Sequence, residues 1–210
     1  MTRHAVTLLV ATTNADKARE IAHLLREVPV SLLTLRDGPP AAEPAETGDT
    51  FEANARSKAE YYDAAVAAPL RAANPRTPIL TVAEDSGLAI DALGGEPSVY
   101  SARFLSPSAT YPERFAAIQT RLAAQPTAPR TARFVCALAV VDRGQVVFET
   151  RGTIEGVIAR DARGGAGFGY DPIFEYPPFG KTLAEVSEAD KLAVAHRGHA
   201  FRSLAAWLAT

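Results

Sequence analysis

Cysteine is nearly absent from the 210 residues, and the single one, Cys136, lies within the apolar run Phe134 to Val141. One thiol cannot close an internal disulfide or build a cysteine metal centre, so it reads as a buried core thiol in a reducing compartment. An excess of basic charge is lacking too: 22 lysines and arginines stand against 24 acidic residues, for a formal charge of -2. No basic tract is available to neutralise a nucleic-acid backbone, so no nucleic-acid polymer is expected as a partner. No apolar run approaches the roughly 20 residues of a membrane span, and the opening MTRHAVTLLVATTN breaks its apolar run too early for a signal sequence. The expectation is a soluble, cytoplasmic protein with no membrane partner. Internal repeats and low-complexity tails are also missing. A chain of this length can bury one large core, so residues 1–210 are expected to form a single domain, at most with two lobes.

What is present is a mixture of strand and helix patterns. Val6 to Ala11 reads as a buried strand, and Lys17 to Arg26 as a helix with Ala18, Ile21, Ala22 and Leu25 on one face. Asp37 to Gly48, rich in proline and acid, reads as a loop. Thr50 then caps a helix whose Phe51, Ala55, Ala59, Tyr62 and Val66 share a face, and prolines punctuate residues 69–78. Ile79 to Ala83 is a second buried strand expected to end at Glu84-Asp85-Ser86-Gly87, with Leu88 to Asp91 extended again before a turn at Gly94-Gly95. Thr110 and Pro112 open a helix carrying Phe115, Ile118 and Leu122. Ala132 to Val141 and Gln145 to Thr150 form a hairpin through Asp142-Arg143-Gly144, which Arg151 to Ala159 extends. Ser187 with Asp190 makes a capping box, and Phe201, Leu204, Ala205 and Leu208 mark a closing helix. The class is α/β, with several adjacent strands antiparallel rather than a simple doubly wound sheet.

Residues 165–198 concentrate glycines, aromatics and charge. Gly165, Gly167 and Gly169 around Phe168 offer backbone donors beside a stacking ring, and Lys181, His196 and Arg197 offer positive charge for phosphates. Thr12-Thr13-Asn14-Ala15-Asp16-Lys17 precedes a helix, where amides, the helix dipole, hydroxyls and a lysine converge on an anion such as phosphate. Asp85 is the leading catalytic candidate, able to hold Mg²⁺ or take a proton from water, with Ser86 donating to substrate. Glu46, in Glu46-Thr47-Gly48, is the best further metal contact, and Glu84 competes for that place. Two other patterns lead nowhere. Gly180-Lys181-Thr182 imitates a P-loop end, but Glu175 stands where its first glycine belongs. His196 and His199 read as a surface pair rather than as metal ligands.

ATTNADK at 11–17, ETGDTFEANARSKA at 46–59, AEDSGLAIDALGG at 83–95, YSARF at 100–104, GFGYDPIF at 167–174, GKT and AHRG together resemble the Ham1 family, the inosine triphosphate or non-canonical purine nucleoside triphosphate pyrophosphatases. The resemblance covers nearly the whole chain. It implies an elongated, two-lobed α/β fold with a long mixed sheet flanked by helices and a central cleft. It also implies hydrolysis of ITP, dITP and XTP to the monophosphate and pyrophosphate with Mg²⁺, in a homodimer. Carried over by motif, Thr12 to Lys17 would hold phosphates, Asp85 would ligate metal and act as base, and Ser86 would touch substrate. Phe168, Gly169, Tyr170 and Asp171, with Lys181, His196 and Arg197, would complete the pocket. Phe168 would stack on the base while Asp171 or Arg197 reads its edge.

The chain departs from the family pattern at Ala45 and Ala53, where glutamates are common, at Glu84, where aspartate is common, and at Ser98, where glycine is common. None of these changes removes Asp85, Lys17 or Lys181. A Maf-like pyrophosphatase of other base preference and a nucleotide sensor without turnover are the alternatives; the His-Arg-Gly segment opposes the first and the intact Asp85 the second.

Overall fold

A computed structural model describes residues 6–210, so the first five residues of the opening stretch lie outside it. The chain divides into two compact units, and it passes from the first to the second between Asp85 and Ser86. The strands join in the order β2-β1-β3-β4-β5-β6-β7, with β1 parallel to β2 and to β3, and β6 antiparallel to β5 and to β7. The sheet is therefore mixed and the class α/β, as the patterning predicts.

The first unit comprises the described residues through Asp85, then Cys136–Arg151 and Ala200–Thr210. β1 (Val6–Val10) is followed by α1 (Ala15–Leu25), β2 (Val30–Thr34) and α2 (Phe51–Tyr62). α1 starts two residues before the expected Lys17, because Asn14 Oδ1 accepts the amides of Asp16 and Lys17 and so fixes the N-cap. Leu8, Val10, Ile21, Leu25, Val82, Leu138, Val140, Phe201 and Leu204 form one buried cluster. A π turn (Asp63–Ala67) leads into α3 (Ala68–Ala73), a helix that takes in the start of the proline-punctuated stretch. Pro69, which has no amide donor, follows directly on the π turn, where the Ala68 N–H reaches back to the Asp63 carbonyl. A cavity of about 600 Å³ beside this turn is lined by Ala64, Ala68, Arg71 and Arg143.

β3 (Ile79–Ile90) does not end at the acidic pair, contrary to the expectation. Glu84 and Asp85 lie inside the strand, 4% and 5% exposed, because each finds partners: Lys17 and Cys136 for Glu84, Asn54 for Asp85. Consecutive strand residues point to opposite faces, so the two carboxylates are satisfied by different elements. β4 (Thr131–Asp142) and β5 (Gln145–Ile158) are joined at Arg143 and Gly144, whose φ values of 49° and 77° suit the tight turn expected there.

The second unit comprises Ser86–Val135 and Gly152–His199. It holds α4 (Tyr111–Ala123), β6 (Phe174–Tyr176), β7 (Lys181–Thr182) and α5 (Glu188–Val194), with the start of α6 (His196–Leu208). Thr110 and Glu113 close a capping box at α4, and Ser187 Oγ accepts the Asp190 amide at α5. Leu88, Ile90, Ile118, Leu122, Phe134, Ile154, Tyr170, Ile173 and Phe174 are its buried cluster. Lys181 sits on a two-residue strand after Gly180, not in a loop between strand and helix, which removes the P-loop resemblance structurally.

Candidate active site

In the first unit, polar side chains gather at the start of α1 and around Asp85. Of the segment Thr12 to Lys17, Asn14 is spent on the cap, Thr12 Oγ1 accepts the Asn14 amide at 3.2 Å, and Thr13 donates to Glu43 at 3.1 Å. Ala15 is exposed, and Asp16 accepts from Arg19 at 2.7 Å. Lys17 turns inward, its Nζ 3.0 Å from Glu84 Oε1. The amides of Asp16 and Lys17, expected to meet an anion, are thus occupied by Asn14, and Lys17 carries the charge of this loop.

Asn54 links two parts of the cluster. Its Oδ1 accepts the Gly48 amide at 2.8 Å and its Nδ2 donates to Asp85 Oδ2 at 2.9 Å, so the loop that carries Glu46 is pinned to Asp85. Lys58 Nζ is paired with Glu46 and donates to the Glu84 carbonyl at 3.3 Å. Burial pulls the Lys58 ammonium down, but Glu46, Asp85 and Glu84 outweigh it and hold the group above its ordinary value. Burial, reinforced by Glu46, holds the Asp85 carboxyl above its ordinary range against Lys58, the Asn54 hydrogen bond and Lys17. Raised carboxyl values at a buried, charge-dense position are what proton-transfer chemistry calls for.

Among the described residues, no group of three or more His, Cys, Asp and Glu side chains is disposed to hold a metal by itself. Mg²⁺ does not require one: it takes one or two carboxylates and fills its octahedron with water and phosphate oxygens. Asp85 and Glu46, coupled electrostatically to each other and to Lys58, supply hard oxygen donors of that kind. The residues fit the ion.

In the second unit the cluster forms around Phe168. Gly167 and Gly169 adopt φ of 71° and 67°, and a Cβ at Gly167 would collide with the Asp171 carboxylate. Asp171, 3% exposed, accepts the Phe168 amide at 2.8 Å and the Lys191 ammonium at 2.5 Å. Lys191 lies 4.8 Å and Arg197 5.6 Å from the Phe168 ring centre, so two cations flank a half-buried aromatic. Arg197, 2% exposed, donates to Ser86 Oγ at 3.1 Å. His196 is buried and stacked on Phe134 at 4.9 Å, while His199 is exposed. The two histidines are therefore not a surface pair, because the stacking ring draws the first one into the core. Tyr170 is buried too, donating to the Ser101 carbonyl at 2.9 Å, and burial pushes its hydroxyl well up.

Ser86, Phe168, Gly169, Asp171 and Arg197 are thus brought together, and Lys181 is exposed on β7. The lysine at the ring is Lys191. Sequence reasoning passed over Lys191, Asn54 and Lys58. The last two carry a readable signal: they sit three and seven residues after Phe51, on the face shared with Ala55, Ala59 and Tyr62. Polar residues in an apolar stripe mark a helix face turned toward buried charge.

The model of the Ham1 family matches residues 8–207. The dITP/XTP pyrophosphatase of Geobacillus kaustophilus is 42% identical over 197 residues, 94% of this chain and 91% of that protein. The dITP/XTP pyrophosphatase of Geobacter sulfurreducens is 42% identical over 94% of each chain. Among solved structures, a HAM1 protein from Coxiella burnetii superposes with a TM-score of 0.81 at 33% identity, covering 97% of this chain and 98% of that one.

Proposed function

The chain belongs to the Ham1 family, and from that membership and its two residue clusters we infer that it is a nucleoside-triphosphate pyrophosphatase. It hydrolyses non-canonical purine nucleoside triphosphates, ITP, dITP and XTP, to the monophosphate and pyrophosphate. The observation that carries the reading is the buried Asp85, held by Asn54 beside Lys58 and Glu46, one peptide bond from Ser86. A bound Mg²⁺ would be held by Asp85 and Glu46 and would neutralise phosphate charge. Lys17 grips phosphate oxygens, and Lys58 balances the carboxylates so that they tolerate a polyanion nearby. Asp85, with its carboxyl poised above the ordinary range, accepts the proton of the water that attacks the α-phosphorus. Pyrophosphate then leaves.

Selection among purines lies in the second cluster, since the triphosphate is common to all the candidates and the sugar does not separate ITP from ATP. Phe168 stacks on the base, its loop pinned by Asp171, and Arg197 with nearby backbone donors reads the keto oxygen at the purine edge. A buried donor left facing an amino group discriminates by as much as about 10⁴-fold. A pyrophosphate-release assay with ITP, dITP, XTP and ATP tests the reading: the first three are expected to turn over, ATP far more slowly. Equal efficiency on ITP and ATP would refute it. The free nucleotide is the partner proposed. A cytoplasmic homodimer is the assembly proposed, to be checked by light scattering.

A further inference from the structure

Glu84 takes no part in the reaction as drawn above, yet its carboxylate joins three elements. Oε1 lies 3.0 Å from Lys17 Nζ in the first turn of α1, and Oε2 accepts from the Cys136 thiol of β4 at 3.3 Å. The Glu84 side chain is 2% exposed and Cys136 is fully buried, so neither contact is a solvated surface pairing. We infer that Glu84 is a positioning residue, its buried carboxylate oriented by Cys136 so that it holds the Lys17 ammonium in place for phosphate oxygens.

A lysine ends a flexible four-carbon stem, and a phosphate ligand left to wander must be ordered at the moment of binding. An ammonium has three donors, and giving one to a buried carboxylate fixes the direction of the others. A carboxylate held through one oxygen still swings about its own stem. The thiol on the second oxygen removes that freedom, and the core location of Cys136 makes the anchor rigid. The glutamate stem is long enough for β3 to meet both partners.

The inference rests on reading Lys17 as a phosphate ligand, and calorimetric titration with inorganic pyrophosphate at fixed Mg²⁺ separates the two. Lys17→Met is expected to weaken pyrophosphate about tenfold or more, since a charge-assisted contact is lost. Cys136→Ala and Cys136→Val, which remove the donor and leave or fill its volume, are expected to weaken it about two- to tenfold, the effect of one modest hydrogen bond. Cys136→Ser, which restores a donor, is expected to recover most of that affinity. In a Glu84→Gln background Cys136→Ala is expected to change nothing further, because the residue through which it acts is gone. In the Cys136 variants the KM for the triphosphate should follow the pyrophosphate affinity while kcat stays near that of the parent. Unchanged pyrophosphate affinity in the folded Cys136 variants, with Lys17→Met impaired, would overturn the positioning role alone. An unimpaired Lys17→Met would overturn the phosphate reading and the tether with it.

Discussion

Asp85 sets function against stability. Its carboxyl lies above the ordinary value of 3.8 because burial and Glu46 outweigh Lys58, Asn54 and Lys17. A raised carboxyl favours the fold while protonated, so that contribution is present below pH about 4 and is lost as pH rises through the folded value. At neutral pH the ionised group therefore subtracts stability from the metal-free protein. Asp85→Asn is expected to raise the unfolding temperature of metal-free protein at pH 7 while cutting kcat about 10²-fold or more; a variant that lost stability and kept turnover would contradict both statements. Ser98 is a second strained position, with φ of 51°, in the region that favours glycine. A left-handed L-residue costs about 1–2 kcal/mol, partly offset in glycine by greater unfolded-state entropy. Ser98→Gly is expected to stabilise the protein by roughly 0.5–1 kcal/mol, read from the urea midpoint.

Between elements, Asp63 ties together distant parts of the first unit. Its buried carboxylate accepts two hydrogen bonds from Arg71 at 2.8 and 2.9 Å, one from Thr81 Oγ1 at 3.0 Å and one from the Gly144 amide at 2.9 Å. It thereby joins the π turn after α2, β3 and the β4–β5 turn. Asp63→Ala strands the partly buried Arg71 and is expected to cost about 3–5 kcal/mol in denaturant unfolding. Nothing in the sequence around Asp63 announces this, since its partners come from as far as Gly144. The same logic explains what was legible. The start of α1, the α4 capping box and the Arg143-Gly144 turn are written in adjacent residues, and the patterning finds them to within a residue or two. The break expected in β3 at Glu84 and Asp85 was an error of the same origin, because the partners that bury those carboxylates lie at positions 17, 54 and 136. The glycines flanking Phe168 are visible in the sequence. That Lys191 reaches its ring depends on where α5 packs, which spacing alone does not encode.

For the molecule as a whole, ligand binding and folding are linked. A ligand that binds only the folded protein stabilises it by about 2.7 kcal/mol at 100 times its dissociation constant. Pyrophosphate with Mg²⁺ is therefore expected to raise the melting temperature of the parent with the logarithm of its concentration and to do so far less in Lys17→Met, as scanning calorimetry would register. The order in which the chain is made has its own consequence. Phe201 and Leu204 of α6 pack in the same cluster as Leu8 and Val10 of β1. During synthesis the first unit cannot close that core until residue 204 has cleared the ribosome, so β1 must wait, shielded or exposed, for α6. A premature stop ahead of Phe201 would release a chain whose opening strand lacks its cover, a substrate for degradation rather than a shorter enzyme.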